Sequence, residues 1–94
     1  MLWYEAQAND NALLVFDGSV LEVFGLSGTH RYHIWQEPRL QFSDGARPRV
    51  TIIPRRGPCL SLAYDAHRLD GLRALADRLA RVRAAASGER EPAG

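Results

Sequence analysis

Three histidines, His30, His33 and His67, and one cysteine, Cys59, are where metal or nucleophilic chemistry would have to start. A zinc site needs two or more such side chains aimed at one point with a carboxylate nearby. His30 and His33 are three apart in a segment that reads as strand, and a strand sends residues of odd spacing to opposite faces, so the two are separated. Surface or half-buried imidazoles are the expectation. A nucleophilic cysteine needs a base beside it and a lowered pKa. Cys59 has Pro58 and Leu60 as neighbours, and His67 lies across a turn, so the thiol reads as a small apolar strand residue, buried and inert. The carboxylates fall singly at turns and along one helix, and no HExxH, GxSxG, P-loop or GxGxxG occurs. Gly25-Leu26-Ser27-Gly28 lies between strands, without the helix amides that hold a phosphate. These residues argue against an enzyme, and against any metal or organic cofactor.

Arginine is the other residue type able to bind something. All twelve basic residues are arginine, against eleven acidic ones, for a net charge of +1. Arg55 and Arg56 form a basic hairpin tip, and Arg73, Arg78 and Arg81 lie along a helix; together they define the alternative function, a nucleic-acid-binding accessory domain. Against it, Asp70 and Asp77 interleave with the helix arginines, and the aromatics do not alternate with basic residues along one strand. The charge is also unevenly placed. Residues 1–30 hold four carboxylates and no arginine, whereas residues 31–64 hold six arginines and two carboxylates. Such polarity can align two copies head to tail or tie two sheets together.

The elements that position these residues follow from turn chemistry. Ninety-four residues, 46% hydrophobic, suffice for a single core, with one domain over residues 1–86 and a disordered tail over 87–94 that lacks large apolar residues. No apolar run approaches the roughly 20 residues needed to span a bilayer. Met1–Glu5 shows no basic segment leading into an apolar one, and one cysteine excludes a disulfide framework, so a cytoplasmic location is expected.

Seven strands are expected: Leu2–Ala8, Ala12–Phe16, Ser19–Phe24, His30–Trp35, Arg39–Phe42, Arg49–Ile53 and Cys59–Tyr64. Asp17-Gly18 reads as the two central residues of a type I′ hairpin turn, and residues 25–29 as a loop. Asp65 offers an N-cap oxygen to a helix running to about Ala86, whose stripe is Leu72, Leu75, Leu79, Val82 and Ala86, widened by Leu69 and Ala76.

With Asp17-Gly18 as the turn, Val15 faces Val20 and Leu14 faces Leu21. Ala12, Leu14, Phe16, Leu21 and Val23 then share the core face. The opposite face still carries Leu13, Val15, Val20 and Phe24, with only Glu22 charged, which is too apolar for a solvated sheet face. Either the chain itself covers it or it is an interface with a partner or a second copy. Arg39 and Gln41, on the short strand after Pro38, mark a second candidate surface, an edge open to strand addition by a peptide or blunted against it.

Seven short antiparallel strands followed by one amphipathic helix resemble the pleckstrin-homology-like (PH-like) fold, and the strand ending in Phe16-Asp17-Gly18 is similar to one in the small bacterial PH-like domains. The resemblance implies a barrel of two nearly orthogonal sheets, one end capped by the helix, serving as a protein-interaction or assembly module. A curved sheet with the helix across one face uses the same elements. Phosphoinositide-binding members carry basic residues between the first two strands; here Gln7-Ala8-Asn9-Asp10-Asn11 has none, which argues against that ligand.

Overall fold

Small inward residues at one edge and large ones in the middle shape the first sheet, whose strands β1 (Tyr4–Asn9), β2 (Ala12–Phe16), β3 (Val20–Gly25) and β4 (Gly28–His33) pair antiparallel in chain order. The structure, a computed structural model, describes residues 4–25, 28–43 and 45–90, with side chains as far as residue 85. Inward rows run Ala6–Leu14–Val23 and Phe16–Leu21–Tyr32, all buried. The core face of the β2–β3 hairpin therefore holds the residues expected of it.

Its turn differs. Gly18 and Ser19 occupy the centre, Asp17 stands opposite Val20, and the ladder pairs Val15 with Glu22 and Leu14 with Val23. A type I′ turn on Asp17-Gly18 would need positive φ at both residues. Gly18 alone adopts it, at φ 99°, while the Asp17 carboxylate accepts the amides of Ser19 and Val20, both at 2.8 Å. That pair of bonds is available only when Asp17 precedes the turn. Partners shift by two residues, so each side chain keeps its face.

The second sheet holds β5 (Arg39–Ser43), β6 (Arg49–Ile53) and β7 (Leu60–Ala63), in that order. Leu40–Ile52–Leu60 and Phe42–Val50–Leu62 form its inward rows. The expected closed seven-stranded barrel is not formed among the described residues: no ladder joins the two sheets, which meet through isolated bonds instead. Asp65 N–H donates to Ala8 O at 2.8 Å and Asn9 Nδ2 to Ala63 O at 2.7 Å, where β1 passes the end of β7. The bulge between Gln7 and Asn9 turns the β1 edge there and interrupts its pairing.

Helix α1 (Leu69–Arg90) packs on β1 and β5. Leu72, Leu75 and Leu79 are fully buried, each contributing about 1.5–3 kcal/mol by leaving water. Close approach depends on small residues, since a Cβ added at Gly71 would stand 4.0 Å from that of Ala6. The helix begins four residues after Asp65 because a 3₁₀ turn, Ala66–Arg68, intervenes. Asp65 makes no side-chain cap; its carboxylate accepts Arg68 Nε at 3.0 Å, a charge-assisted bond that competes with capping. At the other end the helix continues to Arg90 instead of stopping near Ala86, and the rest of the expected tail lies outside the described residues. So do Leu2 and Trp3 of the expected first strand and Leu26-Ser27 of the expected 25–29 loop; Gly25 and Gly28 pair directly as the last rung of β3 and β4. No helix among the described residues is long and apolar enough to cross a membrane.

Candidate functional site

β4 stops at His33, two residues before the expected Trp35, because the chain coils into a 3₁₀ turn, Ile34–Gln36. Ile34 N–H donates to Ser19 O at 2.8 Å and the Ile34 side chain packs on the core, so the next residue, Trp35, must point out. It is 61% exposed, and its indole stacks on His33 with centroids 5.3 Å apart and planes 17° from parallel. Gln36 Oε1 accepts His33 N–H at 2.8 Å, and Glu37, at φ 52°, ends the turn in the left-handed region before buried Pro38. A non-glycine residue held there is a sign of local constraint.

The tip of the β6–β7 hairpin comes to this turn. Arg55 N–H donates to Gln36 O at 2.7 Å and its Nη1 approaches Glu37 Oε2 at 3.3 Å, while Gly57, at φ 104°, lets the chain reverse. Trp35, Gln36, Arg55 and Arg56 line a depression of about 260 Å³. Arg55 also borders a neighbouring one of about 340 Å³ with Glu37, Arg39, Ile53 and Pro54. The side chains of Arg39 and Arg56 are exposed and make no hydrogen bond or ion pair among the described residues. Arg83, on the helix, donates to Pro38 O at 3.1 Å; burial first, and Arg39 second, lower its pKa.

The expected basic patch is thereby divided. Arg55 and Arg56 face Trp35, whereas Arg78 donates to the Tyr4 hydroxyl and Arg81 lies 3.7 Å from Asp77 in a separate shallow hollow. Arg73 is exposed on α1. Sequence reasoning passed over Trp35. The available signal was phase: Tyr32 and Ile34 both read as inward, which leaves Trp35 on the solvent side just before Pro38.

The outward face of the first sheet presents Leu13, Val15, Val20 and Phe24. Val15 is only 4% exposed although outside the main core, because Glu5 and Glu22 flank it in register, and Glu22 is held by Arg31 at 2.8 Å. Leu13 and Val20 are half-buried, and Phe24 is 39% exposed. The second sheet and α1 pack against the other face. β5 forms an edge of its sheet, with Arg39 and Gln41 exposed and Leu40 and Phe42 turned inward.

His30 and His33 project to opposite faces, aligned with Val23 and Val20 respectively. No cluster of three metal-ligating side chains occurs among the described residues. Cys59 is exposed, which corrects the expectation of a buried thiol: β7 begins one residue later, at Leu60, so Cys59 belongs to the turn. Burial, and to a lesser degree Cys59 nearby, raise the pKa of Tyr32. His30 lies in a cleft of about 520 Å³ between the ends of the two sheets. Ala12, Val23, Leu60 and Leu62 give it an apolar lining, and Asp10 and Asp65 stand at its border. Both carboxylates are engaged by Arg68, at 3.2 and 3.0 Å. No protein-family model, curated protein or solved structure matches this chain.

Proposed function

We propose that the chain is a non-catalytic interaction module of PH-like architecture, working in the cytoplasm and docking a protein or peptide, or a second copy of itself, on the outward face of its first sheet. The observation that carries this reading is the sidedness of that sheet. Helix and second sheet lie on one face, while the other leaves Leu13 and Val20 half-buried and Phe24 39% exposed. Isolated apolar residues on a surface need no explanation, but Leu13 and Phe24 are cross-strand partners and form an apolar pair on this face. The order of elements, four strands, three strands and a terminal helix, supports the PH-like assignment.

Sedimentation equilibrium of the wild type and of a Val20→Asp/Phe24→Asp variant tests the self-association form. A wild-type dimer that becomes a folded monomer supports it, and a wild type that is already monomeric at all concentrations refutes it. For a different partner, the native complex isolated from the producing cells should lose mass in the same variant. The alternative of a nucleic-acid grip by Arg55, Arg56, Arg73, Arg78 and Arg81 acting together draws less support, because Arg78 and Arg81 are turned to Tyr4 and Asp77.

A further inference from the structure

The depression beside Trp35 combines an exposed aromatic ring with arginine side chains. Tryptophan is usually well buried, and where it is not its apolar face is available for contact. Here the ring is backed by His33 and forms a flat platform in a depression shared with Arg55 and Arg56, and Arg55 also borders the neighbouring depression that Arg39 lines. Glu37 lines that second depression and is paired with Arg55, while the side chains of Arg39 and Arg56 make no hydrogen bond or ion pair among the described residues. Guanidinium groups present planar forks that match phosphate oxygens.

We propose that these two adjoining depressions bind single-stranded nucleic acid, one base stacking on Trp35 in the first and the adjoining phosphates pairing with Arg56 there and with Arg39 in the second. An aromatic platform joined to a positively charged track is the minimal arrangement for such binding, and it works without base-edge recognition because every base has a π-face. An acidic peptide would satisfy the arginines but leave the indole unused. The site is independent of docking on the outward sheet face and does not use the helix arginines.

Fluorescence anisotropy with fluorescein-labelled oligodeoxythymidylate and oligouridylate of about ten nucleotides, titrated with the full chain, tests this. Saturable binding is expected, weakening by about sevenfold when salt rises fourfold, as release of counterions from about two phosphates requires. Trp35→Ala should weaken binding at least about tenfold, and Trp35→Phe much less. Arg56→Ala and Arg39→Ala should each weaken it and make the salt dependence shallower, while Arg73→Ala and Phe24→Asp leave it unchanged. The proposal is overturned if neither oligonucleotide binds by about millimolar protein. It also fails if Trp35→Ala and Trp35→Phe bind as the wild type does, or if an oligoglutamate peptide competes as well as unlabelled oligodeoxythymidylate. Should Trp35→Ala not fold, Trp35→Phe and Arg56→Ala decide alone: equal affinity in both overturns the assignment.

Discussion

Arg78 stands with its guanidinium carbon 4.7 Å from the centre of the Tyr4 ring and also donates to the Tyr4 hydroxyl, so one side chain ties α1 to β1 by two different interactions. Arg78→Ala should therefore cost about 1–2 kcal/mol, losing a cation–π contact, a charge-assisted bond and the packing of its alkyl stem. Tyr4→Phe keeps the ring and should cost about 1 kcal/mol. Arg73→Ala, on the exposed face, is the control and should change little. Urea denaturation midpoints measure all three.

Acid should act on the β2–β3 turn. The amide of Ser19, then that of Val20, holds the Asp17 carboxyl below its ordinary range. A folded pKa below the unfolded one means that the contribution is complete above the unfolded value, near pH 4, and is lost as pH falls through the depressed folded value. Asp17→Asn retains an oxygen acceptor without titrating. Stability measured between neutral pH and about pH 3 should fall less steeply in that variant than in the wild type; equal slopes would remove Asp17 from the account.

Two neighbouring outward residues should respond differently to charge. Val15 is 4% exposed and has Glu5 and Glu22 opposite it on both adjacent strands, so Val15→Asp adds a desolvated carboxylate between two like charges and should cost about 3 kcal/mol. Phe24→Asp, at a site 39% exposed, should stay within about 1 kcal/mol of the wild type. Thermal unfolding checks both, and the contrast identifies Phe24 as the position at which surface binding can be probed without unfolding the domain.

Gly57 and Gly45 both have positive φ, and an added Cβ at either would meet open space. Alanine at either should cost about 1 kcal/mol of backbone strain. Only Gly57 lies in the turn that holds Arg55 and Arg56 against Trp35, so only Gly57→Ala should also weaken oligonucleotide binding in the anisotropy titration.

The strands were legible where turn residues and alternation agreed, as at Ala12–Phe16 and Arg49–Ile53, which occur with the expected bounds. The helix stripe was legible too, because Leu72, Leu75 and Leu79 repeat with helical spacing and all three are buried. Two kinds of feature were not. Cys59 and Asp65 lie at element ends, where one residue more or less of strand, or one bond to Arg68, changes burial and capping. The meeting of Trp35 with Arg55 and Arg56 joins segments twenty residues apart through the bond from Arg55 to Gln36, and no local pattern encodes such a contact.

The displaced turn at Gly18 and Ser19 shows where the register of the hairpin is specified. Two hairpin registers, centred one residue apart in the turn, bury the same five side chains, so hydrophobic collapse does not discriminate between them. The choice falls to the positive φ that the other turn would impose on Asp17, to the two amide bonds of Asp17 and to the rungs farther along β3. Asp17 therefore carries register information that the buried side chains do not.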